Sequence, residues 1–175
     1  MGGESFRHLQ AFFKTLEAFE QDAHSALCLP FVFAVNAFRW REQSILSVLD
    51  VVRAVESKTG HGSWGSGRFE ETRDAIPKLT AELGQAGNTV ANTVKHLGIL
   101  GEVLGYLEPE AEQGLGGGRR SEADESFVAA VRILRRQCLS LREQCRYLEG
   151  RIKNQSSVVS LGWDLKCDSG GEICC

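Results

Sequence analysis

Proline is scarce in this chain: only Pro30, Pro77 and Pro109 interrupt 175 residues. So little proline leaves room for long helices, because proline is the residue that most strongly breaks a helix interior. Methionine occurs once, as Met1. No apolar run is long enough to cross a membrane. The longest, Ala26 to Phe38, is broken by Pro30 and Asn36 and falls short of the roughly 20 residues a spanning helix needs. A secretory signal is missing too, since Glu4 stands early and the apolar residues that follow are periodic, not continuous. The expected setting is cytoplasmic, with no membrane span in this chain.

Metal and catalytic words are also lacking. The six cysteines form no Cys-x-x-Cys pair, and His8, His24, His61 and His96 form no His-x-x-x-His pair, so no metal ligand set or cofactor is expected. No nucleophile sits in a recognisable strand-turn-helix elbow. The segment Ser57 to Gly67, with four glycines in eleven residues, lacks the Gly-x-x-x-x-Gly-Lys-Ser/Thr word that cradles phosphate and reads as a linker. The carboxylate pairs Glu70 with Glu71 and Glu108 with Glu110 fall near helix ends or in links. The expectation is a protein that is not an enzyme.

What is present is ordinary in amount and regular in arrangement. Hydrophobic residues make up 42% and charged residues 25%, with a net charge of −3; these values fit a globular chain and give no global bias toward nucleic acid. The length suits one domain, expected over residues 1–161. Four helices are predicted, at about 4–27, 33–57, 69–107 and 121–161, with 162–175 as a flexible non-helical tail ending in Cys174-Cys175. The first carries Phe6, Leu9, Phe12, Phe13, Leu16 and Phe19 at helical steps, and Pro30 ends it or sits just beyond it. The second has Ile45, Val48, Leu49, Val52 and Val55 on one face, with a short strand at Phe31 to Val35 as the alternative for its start. The third is best explained if Asp74 caps it and Pro77 falls in its first turn; a start nearer Ser66 would require Pro77 to kink it. Ser121 with Asp124 resembles a capping box at the start of the fourth.

The third and fourth segments carry the strongest pattern. Leu83, Val90, Leu97 and Leu104 recur every seven residues within a seam running from Ile76 to Leu107. The fourth segment repeats Phe127, Val131, Leu134, Cys138, Leu141, Cys145, Leu148, Ile152, Gln155 and Val159 in steps of four and three. Such spacing marks a narrow apolar stripe on a coiled-coil-like helix, and it makes Cys138 and Cys145 small hydrophobes. Both seams would be roughly 48–50 Å long at 1.5 Å per residue. The fold class expected is therefore all-α, dominated by an antiparallel hairpin of two long helices at about 74–107 and 121–161. Gly84, Gly87, Gly98, Gly101 and Gly105 lie beside the third helix's seam, and each costs about 1 kcal/mol relative to alanine.

The fourth helix is rich in arginine, from Arg132 and Arg135 to Arg151. One reading is a patch for phosphates or anionic lipid; aromatic residues to stack on bases are nearly absent there, so the preferred reading is the solvated flank of a coiled coil facing acidic residues such as Glu82 and Glu102.

The seam ends in the word Arg151-Ile-Lys153-Asn154-Gln155-Ser156-Ser157-Val158-Val159. This closely resembles a string in the long cytoplasmic helix of fungal CorA-like magnesium transporters. Earlier in the chain, Val55-Glu-Ser-Lys-Thr59-Gly60-His61 and Trp64 look like the family's Glu-x-x-Thr-Gly-His segment. The resemblance covers residues of about 30 to 161 and implies the cytoplasmic region that precedes two transmembrane helices. It does not extend to the pore: the family's Gly-Met-Asn signature is absent, and at Gly162 the sequence departs from the family pattern. The resemblance thus implies a stalk-proximal region truncated before the membrane and unable to transport alone. Its expected partners are itself or full-length CorA-like subunits, which are integral membrane proteins. The alternative is a free-standing soluble coiled-coil interaction or scaffold protein.

Overall fold

The computed structural model describes residues 10, 12–15, 17, 27–60, 75–113 and 122–169. Every element among them is α-helical. We label as α1 the helical residues 10, 12–15 and 17; α2 is Cys28–Thr59, α3 is Ala75–Gln113 and α4 is Glu122–Ser169. Most of the expected 4–27 helix, the Ser57 to Gly67 loop beyond Gly60, the Asp74 and Ser121 caps and residues 170–175 lie outside the described residues.

Helix α2 starts earlier than its periodicity suggests. Phe31 to Val35 is helical, and Pro30 stands in the first turn of α2. A proline is tolerated there because the first N–H groups of a helix have no intrahelical acceptor. At the other end, Gly60 has φ of 68°, the left-handed conformation that glycine adopts without strain and that closes many helices.

Helix α3 runs on through Pro109 to Gln113 instead of stopping at Leu107. Proline in a helix interior removes one hydrogen bond and crowds the carbonyl four residues back, at a cost of about 3 kcal/mol. Two features offset it here. Leu107 and Ala111 are buried on the inner face, and Glu108 and Glu112 both pair with Arg132 of α4.

Helix α4 extends to Ser169, so residues 162–169 are helical backbone and not a non-helical tail. A single Gly162 costs only about 1 kcal/mol, and no proline follows to end the helix.

Helices α3 and α4 pack against each other as an antiparallel hairpin. Glu112 meets Arg132, Glu108 meets Arg132 and Arg135, and Gly105 lies next to Arg135, so rising numbers on α3 meet falling numbers on α4. Both stripes face inward. Leu83, Val90, Leu97 and Leu104 are buried, as are Val131, Leu134, Leu141, Leu148 and Ile152. Each such side chain contributes roughly 1.5–3 kcal/mol by leaving water.

Contacts divide the chain into two compact units. The first comprises Met1–Gln43 and Lys95–Arg142, the second Ser44–Val94 and Glu143–Cys175. Each contains a stretch of α2, α3 and α4. The first unit's core holds Phe31, Val32 and Phe38 of α2 with Leu104 and Leu107 of α3 and Val131 of α4. Phe31 and Phe127 meet edge to face at 5.1 Å between ring centres, a favourable aromatic geometry. The second unit's core holds Val52 and Val55 of α2, Leu79 and Leu83 of α3, and Cys145 and Val159 of α4.

Candidate functional site

The two segments that carry the family resemblance meet in the second unit. Thr59, the last residue of α2, continues that helix's inward stripe of Ile45, Val48, Val52 and Val55 by one more helical step. Gln155 occupies an inward position of α4 between Ile152 and Val159. Thr59 is 0% exposed and Gln155 4%. The Thr59 hydroxyl donates to Gln155 Oε1 at 2.9 Å, and the Glu56 carbonyl lies within its reach at 3.3 Å. One hydroxyl has one proton, and the shorter contact takes it.

One turn away, Arg151 holds Glu56 with two parallel N–H to oxygen bonds, its Nε donating to Oε1 at 2.9 Å and its Nη2 to Oε2. Both side chains are largely covered. The hydrogen bond to Glu56 is the main cause that pushes the Arg151 pKa above its usual value, against the opposing effect of burial. The guanidinium also lies over the Tyr147 ring, 5.7 Å from its centre. Because Glu56 meets Arg151 and Thr59 meets Gln155, α2 and α4 run parallel in this unit. The pairing is a polar clasp between the last turn of α2 and the interior of α4.

The remaining residues of the two words fall on either side of it. Lys153 is exposed and pairs with Glu149 at 2.9 Å. Asn154, Ser156 and Ser157 are exposed; the two serines return their hydroxyls to the carbonyls of Ile152 and Lys153, a local bond that satisfies them without a partner helix. Val158 is half-buried and Val159 buried. Gly60 closes α2, and His61 lies outside the described residues. The structure thus joins Arg151, Gln155 and Thr59, together with Glu56, and leaves Lys153, Asn154, Ser156 and Ser157 to solvent. The clasp has a sequence signal: Thr59 and Gln155 are each a polar residue in step with an apolar stripe.

Among the described residues no cluster of histidine, cysteine or carboxylate side chains could hold a metal ion, and no helix is long and apolar enough to cross a membrane. Cys138 and Cys145 are buried, and burial pushes both thiols up to about 11. They are poor nucleophiles, since the thiolate is the reactive form.

The first unit contains a feature that the periodicity does not announce. A groove of about 920 Å³ runs along α2 and α3. Phe33, Ala37 and Trp40 of α2 and Ile99 and Val103 of α3 line it, and Phe12 of α1 reaches its edge. Phe12 and Phe33 meet edge to face at 6.0 Å, and Arg39 donates to the Thr15 hydroxyl at 3.3 Å.

Comparisons with models of protein families, with curated proteins and with solved structures return no match for this chain.

Proposed function

We propose that this chain is a helical assembly domain, of the kind that lies next to the stalk in CorA-like divalent-cation transporters. The observation that carries the reading is the clasp. The Glu-x-x-Thr-Gly word and the Arg-x-Lys-Asn-Gln word are some 95 residues apart, yet Glu56 pairs with Arg151 and Thr59 with Gln155. Two separate words that resemble one family thus act as one structural unit, and this supports the reading. The antiparallel hairpin and the continuation of α4 to Ser169 add support, since a stalk helix is long and continuous. In this role the chain associates through its helices with copies of itself or with full-length CorA-like subunits.

A second reading, a free-standing helical scaffold, draws support from the groove of the first unit, which offers an apolar surface independent of the clasp. Co-expression with a tagged full-length CorA-like subunit separates the two. The transporter reading expects the chain to co-purify with that subunit from detergent-solubilised membranes, and Glu56→Arg to weaken the association. A chain that stays monomeric in sedimentation velocity and never accompanies the subunit overturns it.

A further inference from the structure

The groove of the first unit has an unusual combination of properties. Its walls are apolar, with Phe33 66% exposed, Trp40 49% and Ile99 50%. Large apolar side chains are left open here on two adjacent helices, and contiguous exposure of this kind marks a binding surface more often than a bare surface. Among the described residues its lining includes the guanidinium groups of Arg39 and Arg41 and no aspartate or glutamate, although the whole chain has a net charge of −3. The Arg41 guanidinium is held 4.5 Å from the centre of the Trp40 ring, which fixes a cation at the edge of the apolar wall. Asn36, also in the lining, spends its amide N–H on the Val32 carbonyl at 2.9 Å.

We propose that this groove binds an anionic amphiphile, a long-chain carboxylate, with its alkyl chain along Phe33, Trp40, Ile99 and Val103 and its carboxylate toward Arg41. The volume lies within the range of roughly 300–1,000 Å³ typical of small-molecule sites. An alkyl chain satisfies the apolar walls without bringing a backbone whose polar groups need partners. A carboxylate suits the arginines, because guanidinium geometry matches two carboxylate oxygens. This site is separate from the clasp and independent of the assembly role.

The test uses the full chain carrying Trp64→Phe and Trp163→Phe, which leaves Trp40 as the only tryptophan and therefore as the reporter. Decanoate, 1-decanol and decylammonium are titrated below their micellar concentrations while Trp40 emission is read. Decanoate is expected to give a saturable change, with affinity rising by roughly fourfold for each methylene added to the chain. Arg41→Gln is expected to weaken decanoate binding by roughly tenfold, and Ile99→Glu, at an exposed position, to abolish it. Unchanged circular dichroism confirms that both variants fold. Three results overturn the proposal: decanol or decylammonium binding as tightly as decanoate; decanoate binding that survives Ile99→Glu; or no saturable response to decanoate.

Discussion

Breaking the Thr59–Gln155 contact tests whether the clasp is a set of paired groups or merely a polar blemish on an apolar seam. The bond is 2.9 Å long and lies between two buried side chains. Thr59→Val keeps the shape of the side chain and removes the donor, so the Gln155 carboxamide oxygen loses that partner in a buried place. Such a loss costs about 1–3 kcal/mol. Gln155→Leu acts differently. The Thr59 proton still has the Glu56 carbonyl at 3.3 Å to turn to, so the expected loss is below about 1 kcal/mol. The double variant removes both polar groups and leaves an apolar pair; its stability should lie within about 1 kcal/mol of the parent. The single-variant costs therefore do not add, and the coupling energy should be about 1–2 kcal/mol, the size seen for residues in direct contact. Urea unfolding followed by circular dichroism at 222 nm measures all four proteins, with the slope checked for constancy so that midpoints convert to free energies. Additive losses, or a Gln155→Leu cost larger than that of Thr59→Val, would refute the reasoning.

Four further expectations follow from the packing and the charges. A Cβ built on Gly84 or Gly98 meets nothing within 4 Å, so Gly84→Ala and Gly98→Ala should each stabilise α3 by about 0.5–1 kcal/mol in the same unfolding assay; destabilisation by either would show that the glycine has a packing role. Thr93 is fully buried and its hydroxyl has no partner among the described residues, so Thr93→Val should raise the midpoint by an amount equivalent to about 1 kcal/mol. Cys138 and Cys145, whose thiols are pushed up to about 11, should resist iodoacetamide at pH 8 in the folded chain and react in urea, read by peptide mass spectrometry; ready labelling of the folded form would contradict their burial. Hydrogen bonds from Arg132 and then Arg135 lower the Glu108 pKa below its ordinary value of 4.5. The unfolded chain therefore binds the proton more readily, and this stabilisation is present above about pH 4.5 and lost as pH falls through the folded-state value. Thermal melts from about pH 5 to about pH 3 should accordingly show a shallower decline in Glu108→Gln.

The sequence announced the helices wherever their stripes were strict. The α3 and α4 seams could be assigned position by position because a step of three and four has only one inward face. What it over-read were the punctuation residues. Pro109 suggested a link and is carried inside α3; Gly162 suggested a stop and is passed by α4. In both cases the local preference is worth about 1–3 kcal/mol, and neighbouring packing or chain continuity outweighs it. The clasp was half legible. Gln155 stood out on an apolar seam, but nothing in the spacing named Thr59 as its partner across 96 positions. The groove was not legible, because Ala26 to Phe38 is apolar on most faces and periodicity cannot say which face a neighbour covers.

The position of the clasp gives it an effect beyond its own bond energy. Parallel helices with heptad stripes repeat every seven residues, so α4 could slide one heptad along α2 and still match apolar residues to apolar residues. A slip in one direction would set Gln155 against Val52, and in the other Thr59 against Leu148, all of which are core positions. Either slip buries a polar side chain against a hydrophobe, at a cost of about 1–3 kcal/mol. It also pulls Glu56 away from Arg151, which then loses two charge-assisted bonds. The correct register is therefore separated from its nearest competitors by more than the stability that the clasp adds, as polar residues on the seams of coiled coils do. The Thr59→Val/Gln155→Leu pair, nearly neutral in stability, isolates this effect when Glu56→Gln is added to it. Amide resonances of α2 and α4 in that triple variant should broaden or double as registers exchange, while helicity at 222 nm stays unchanged. A single sharp set of resonances would assign register to the apolar stripes alone.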